Sequence, residues 1–313
     1  MRLCLMIEGQ EGVTWDDWMA LAAATEDSGL EGLFRSDHYL SIGGEGRSSL
    51  DAWTTLAGLA VRTERIQLGT MVSPATFRHP AVLAKSVVTV DHISNGRAEL
   101  GIGAGWYEDE HRAYGFPFAD TKTRMAVLEE QIEIVAKSWR EGPFDLRGEH
   151  YTIEDLDALP KPVSKPRPNL IVGGSGGPRS IELCARWADE YNTVSPTLDE
   201  IKSRRKLLER AWESAGRDPG DLVFSAMTGG VVGSDQNEVR ARARALMDQN
   251  GESGSEDDWL ERARRTQVIG TVDEVVDRIG GLSEAGLDRI MLQHLMHTDV
   301  EMVAVLGEIV DQL

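Results

Sequence analysis

The sequence predicts a single (β/α)8 TIM barrel, an α/β fold, spanning residues 1–313, and three observations lead there. Short apolar runs alternate with segments of helical periodicity, and the alternation can be counted eight times along the chain. Strands separated by helices pair in parallel through right-handed crossovers, because a helix packs back onto a twisted sheet in that hand. An open doubly wound sheet would carry a glycine fingerprint directly after its first strand, and IEGQEGVTW (7–15) does not match one. Barrels of this kind commonly use a chain of 313 residues as one domain.

Residues 2–8 (RLCLMIE) form the first strand. Thr14 as N-cap, with Asp17 three positions on, opens the first helix, and Gly29 stops it. Residues 31–37 give the second strand and 50–62 the second helix, entered through Ser48 and Ser49. RIQLGTMVSP (65–74) is the third strand, with its helix in 79–94, and RAELGIGAGW (97–106) is the fourth, with its helix in 123–140. Segment 142–168 carries the proline run LPKPVSKPRP and little periodicity, so it reads as an irregular surface excursion with a short hairpin at FDLRGEHYTI. NLIVGGSGG (169–177) is the fifth strand and its loop, followed by helix 178–188. Residues 190–195 and 197–215 make the sixth pair, and 222–233 the seventh strand. A charged helical stretch, 235–266, interrupts before helix 271–286, strand 289–295 and helix 299–313. The barrel is thus expected to carry insertions after strand 4, helix 4 and strand 7.

Composition narrows the function. A net charge of -19 disfavours nucleic acid and anionic membranes as partners, since both need a basic face. No apolar run approaches the roughly 20 residues of a membrane span. The N-terminus MRLCLMIEGQEG has no cleavage pattern and reads as a strand, so a soluble, cytoplasmic protein is expected. Cys4 and Cys184 have neither disulfide nor zinc spacing and read as buried small hydrophobes.

In a barrel of this type functional groups sit at the C-terminal strand ends. Those ends read Glu8; Asp37 and His38; Thr70, Met71 and Ser73; Gly103, Ala104, Gly105 and Trp106; Gly173, Gly174, Ser175, Gly176 and Gly177; Asn192 and Ser195; Gly229; and Gln293 and His294. The segment GLFRSDHY ends an apolar run in Asp37 and His38, and an imidazole beside a carboxylate suits proton transfer near neutral pH. GIGAG (101–105) lacks the last glycine of a dinucleotide fingerprint, where Trp106 stands. GGSGG (173–177) ends a strand and opens a helix at Pro178, which makes an anion site from backbone N–H groups without net positive charge. Arg179 in the first turn adds a charged contact. Glu110 and His111 form a lid or a solvated loop. His294 and His297 lack the further ligands a metal needs, and no metal is expected. Substrate or lid candidates are therefore Glu8, Glu110, His111, Gln293 and His294.

Three stretches, SDH after the second strand, LGTMVSP with RHPAVLAKSVVTVDHISNGRAELGIGAGW, and IVGGSGGPRSIELCARWADEYN, resemble the luciferase-like monooxygenase superfamily. Within it they are most similar to the oxidoreductases dependent on coenzyme F420, the 8-hydroxy-5-deazaflavin. The resemblance implies a bacterial-luciferase-like barrel, with 235–266 as the insertion between the seventh strand and the eighth helix. It implies a non-prolyl cis peptide at Thr70-Met71 behind the cofactor ring, and cofactor contacts from Thr70, Met71, Ser73, Gly103 to Trp106, Gly173 to Gly177, Arg179 and Asn192. It implies hydride transfer between the deazaflavin C5 and a small organic substrate, with His38 as general acid/base and Asp37 orienting it directly or through the turn. Some sugar-phosphate dehydrogenases of this branch carry a catalytic Glu directly after the fourth-strand glycines, where this chain has Trp106, so that activity is not expected. The alternatives are an FMN-dependent monooxygenase using O2 with a flavin reductase partner, and a non-catalytic flavin-binding protein. A homodimer is implied, and helices 50–62 and 79–94 are apolar enough to supply its interface.

Overall fold

The structure is a computed structural model that describes residues 1–44 and 46–313. Along the chain, β1 (Arg2–Ile7), α1 (Trp15–Asp27), β2 (Gly32–Arg35), α2 (Ala52–Ala60), β3 (Gln67–Pro74), α3 (Pro80–Ser94) and β4 (Ala98–Gly103) form the first half. After it come α4 (Glu108–Tyr114), α5 (Thr121–Ser138) and the hairpin β5 (Phe144–Arg147) with β6 (Thr152–Leu156). The second half holds β7 (Asn169–Gly173), α6 (Pro178–Trp187), β8 (Glu190–Val194), α7 (Leu198–Ser214) and β9 (Val223–Gly233). It ends with α8 (Gln236–Gln249), α9 (Glu256–Ala263), β10 (Val268–Thr271), α10 (Val272–Glu284), β11 (Arg289–Gln293) and α11 (Val300–Val310).

Eight parallel strands run in the order β9, β11, β1, β2, β3, β4, β7, β8, and β8 pairs back onto β9, so the sheet closes. The expected barrel is the observed one. Local signals explain several boundaries. Thr14 and Asp17 form a reciprocal capping box at α1, and Gly29 takes φ +70° just past its end. The cap of α2 is Asp51, whose side chain accepts from Thr54 N at 2.9 Å, rather than the serines before it. Ser49 instead donates to the His38 carbonyl at 2.6 Å.

The stretch 236–263 forms α8 and α9. It precedes α10 and the eighth barrel strand β11, so it lies between the seventh strand and the seventh helix, not the eighth. It ends in an extra strand, β10, which pairs with the outer half of β9, Gly230 to Gly233. Val231, Val239, Leu246, Trp259 and Ile269 give this insertion its own small core.

Between sheet and helices lies the main core, into which Leu3, Leu5 and Ile7 point outward from β1. Inside the barrel the alternate residues Cys4 and Met6 meet Phe34, Met71, Ile171 and Met291. Both cysteines are buried, and burial pushes their thiols upward in pKa. The barrel floor is charged. Arg289 is fully buried and bonds Glu99 at 2.8 and 3.1 Å, Glu190 at 3.0 Å and Glu31 at 2.8 Å, lying over the Phe34 ring. Among the described residues, no helix is long and apolar enough to cross a membrane.

Candidate active site

At the C-terminal ends of the strands a cavity of about 910 Å³ opens. Its lining includes Glu8, His38, Met71, Gly103, Ala104, Gly105, Trp106, Gly173, Gly174, Ser175, Gly177, Arg179, Asn192 and Gln293 of the expected residues. The strand order puts β1 and β2 across the barrel from β7 and β8. His38, Glu8 and Gln293 therefore occupy one arc, and the glycine loop the other.

His38 does not lean on its neighbour Asp37. Its Nδ1 lies 2.8 Å from Oε2 of Glu110, a fully buried carboxylate at the start of α4. The other oxygen of Glu110 accepts from the backbone N–H of Tyr39 and, at 2.9 Å, of Leu40. Glu110 thus fixes both the ring and the backbone that carries it. Burial of His38 works against its charge, but the hydrogen bond and charge of Glu110, with Glu8 and Asp37 beyond, outweigh it and raise the pKa above the ordinary imidazole value. With Nδ1 held, Nε2 is the nitrogen left for a ligand. Trp106 stands edge-on to the ring with centroids 5.8 Å apart.

Asp37 belongs to a different network. It is buried and bound by Arg78 at 2.5 and 3.1 Å and by the Ser73 hydroxyl at 2.6 Å. Arg78 reaches on to Asp51 and the Tyr39 hydroxyl, each at 2.7 Å. Both residues lie past the end of β2, and their side chains are drawn to different partners, Asp37 to Arg78 and Ser73 and His38 to Glu110. Its orienting role is corrected to a structural one.

The non-prolyl cis peptide is Met71-Val72, one bond later than expected, where the register of β3 against β4 shifts between Thr70 and Ser73. Met71 and Val72 bulge into the cavity wall. Glycines accommodate that bulge. A Cβ on Gly103 would lie 2.9 Å from Val72 Cγ2, one on Gly173 3.0 Å from Val72 Cγ1, and one on Gly101 would overlap the Thr70 carbonyl. Thr70 and Ser73 are buried behind this wall, bonded to the Gly101 carbonyl, the Trp53 indole and Asp37, and do not line the cavity.

On the glycine loop, Gly174 N donates to the Asn192 carbonyl at 2.9 Å and Gly176 N to the Tyr191 hydroxyl at 2.8 Å. Gly176, at φ +87°, packs against Arg204 and is outside the lining, so the loop's ligand-facing donors are other ones. Among the described residues, the N–H groups of Ser175, Gly177, Arg179 and Ser180 have no protein acceptor, and Gly177 caps α6 without a side-chain bond. Two cations flank them. Arg179 bonds Glu129 at 3.0 Å, and Arg204 bonds Thr193 Oγ1 at 2.5 Å and Glu200 at 2.9 Å.

Besides Asp37, Thr70, Ser73 and Gly176, His111 and His294 also lie outside the lining. His111 is buried between Thr76 Oγ1 at 2.6 Å and the Tyr107 carbonyl at 2.7 Å, so it anchors α4 rather than forming a lid. His294 is buried with Nε2 on the Asp299 carbonyl at 2.9 Å, Nδ1 unpartnered, and a pKa lowered by burial to about 4. Sequence reading missed Arg204, Ser180, Thr193, Ile42, Val194 and Met227 among the lining residues. Arg204 alone had a signal, an i,i+4 pair with Glu200 one turn into the helix after β8.

The family model described as luciferase-like monooxygenase matches residues 4–289. An F420-dependent glucose-6-phosphate dehydrogenase of Kineococcus radiotolerans is 33% identical over 207 residues, 64% of this chain and 59% of that enzyme. The chain spans less than two thirds of its length, as it does of other curated relatives. An FMNH(2)-dependent dimethylsulfone monooxygenase of Pseudomonas putida is 25% identical over 313 residues, 90% of this chain and 84% of that enzyme. A solved F420-dependent secondary alcohol dehydrogenase, in complex with an F420-acetone adduct, superposes with a TM-score of 0.82 over 98% of this chain and 97% of its own, at 19% identity.

Proposed function

Because this chain belongs to the luciferase-like monooxygenase family, we propose that it is an oxidoreductase that moves a hydride between coenzyme F420 and a small organic substrate. The observation that carries this reading is the His38-Glu110 pair facing a cavity whose far arc is an anion cradle.

The residues fit a flavin-like ring bearing a phosphate. The unpaired N–H groups of Ser175, Gly177, Arg179 and Ser180, with Arg179 and Arg204, suit the phosphate at the N-terminus of α6. The apolar wall of Met71, Val72 and Ala104 suits the ring. When bound, the deazaflavin supplies or accepts the hydride. His38 does the proton work. In the reducing direction its imidazolium gives the Nε2 proton to the substrate oxygen, and in the oxidising direction the neutral ring takes it. Glu110 stabilises the charged form and holds the ring's orientation. Glu8 and Gln293, hydrogen-bonded to each other, complete the polar arc.

FMN is the second reading, supported by the relative that matches over most of both chains. Absorbance titration of the purified protein with F420 and with FMN separates the two, and tighter binding of F420 is expected. With F420 bound, His38→Ala should retain cofactor affinity and lose roughly 100-fold or more in kcat. Normal turnover by that variant rejects the assignment of His38.

A further inference from the structure

The mouth of the cavity is apolar. Ile42, Trp106 and Val194 line it while 47%, 62% and 61% of their surfaces stay open to solvent. Large apolar side chains left open around a cavity mark the place where a ligand covers them. Met71 and Met227 continue this lining inward with adaptable thioethers.

Charge in the cavity is segregated. Among the described lining residues, Arg179 and Arg204 are the only Lys or Arg, and both stand at the glycine loop over β7 and β8. The opposite arc offers the carboxylate of Glu8, hydrogen-bonded by the neutral amides of Gln10, at 2.8 Å, and Gln293. Cations near that arc are committed elsewhere. Arg35 lies outside the lining, buried against Trp18 and donating to the Ser36 and Leu50 carbonyls, Arg78 is tied to Asp37 and Asp51, and Arg47 bonds Glu11 at 2.6 Å. Glu11 in turn accepts from Ser41, Ile42 and Gly43, which fixes that pair on the rim. A second anionic group entering beside His38 would meet Glu8 and be stripped of water without a cation to receive it.

Resting on the hydride-transfer reading above, we infer that the substrate is an uncharged, mainly apolar carbonyl compound or the corresponding secondary alcohol, and not a phosphorylated or carboxylated one. Its polar oxygen sits at Nε2 of His38, and its hydrocarbon body lies under Ile42, Trp106 and Val194. Reduction adds one hydride from reduced F420 to the carbonyl carbon and one proton from His38 to the oxygen, giving the alcohol and oxidised F420. The reverse reaction returns both.

The test reads ligand binding independently of turnover. Trp106 fluorescence, taken as the difference between the full chain and its Trp106→Phe variant, is followed while carvone or glucose 6-phosphate is added, with and without F420. Saturable change with carvone, and none or weaker change with glucose 6-phosphate, is expected. Ile42→Lys should weaken carvone binding roughly tenfold. With F420 bound, so that its phosphate fills the glycine loop, equal or tighter binding of glucose 6-phosphate, or saturation by neither probe, overturns the inference. Cofactor titration of the same samples keeps the two proposals apart, because failure to bind F420 rejects the hydride-transfer reading, whereas F420 binding with a failed carvone comparison rejects the substrate class alone.

Discussion

His38 is held in its working state by a carboxylate 72 positions away, and that long reach decides its chemistry. An imidazole in a largely buried setting would ordinarily lose its proton early, whereas Glu110 keeps it charged to higher pH. The raised pKa also stabilises the fold. That contribution is complete below the ordinary histidine value near 6.5 and disappears as pH rises through the folded-state pKa. Glu110→Gln should therefore move the alkaline limb of a pH-rate profile for substrate reduction to lower pH, while leaving cofactor affinity close to wild type. An unmoved limb assigns the limb to another group. Asp37, by contrast, is next to His38 in sequence only, and its carboxylate binds Arg78 and Ser73. Its partner Arg78 lies 41 positions on, and no local pattern announces that pairing.

Elements were legible where their signals are local. The capping box at Thr14, the glycine after α1 and the alternation of apolar runs all follow from backbone preferences over a few residues. The place of the cis bond and the side of α4 that is buried depend on contacts between elements, so neither could be read in advance. The wall formed by β3, β4 and β7 illustrates this. Its glycines look like ligand-binding residues, yet Gly103 and Gly173 also make room for Val72. Gly103→Ala should cost about 1–3 kcal/mol through overpacking, and Val72→Ala in the same chain should recover part of that loss. Urea denaturation of the two single variants and the double variant measures the coupling, and strict additivity would remove Val72 as the cause.

At the scale of the molecule, the buried His294 should make the barrel sensitive to acid. Its pKa is lowered by burial to about 4, so between about 6.5 and 4 the unfolded chain takes up a proton that the native state refuses. Stability therefore falls with pH across that window, by about 3 kcal/mol from this one group. His294→Asn should lose correspondingly less between pH 7 and pH 4 in denaturant midpoints, and parallel losses in both proteins would assign the acid sensitivity to other groups. The charged floor bears on a different stage of the protein's life. Glu31 has Arg2 beside it at 3.1 Å, but Glu99 and Glu190 precede the guanidinium that neutralises them, which arrives only with Arg289, on the strand that also joins β1 to β9. During synthesis Glu99 and Glu190 therefore stand without their guanidinium until Arg289 has left the ribosome, so the open sheet should stay hydrated at its floor and close only when β11 is available.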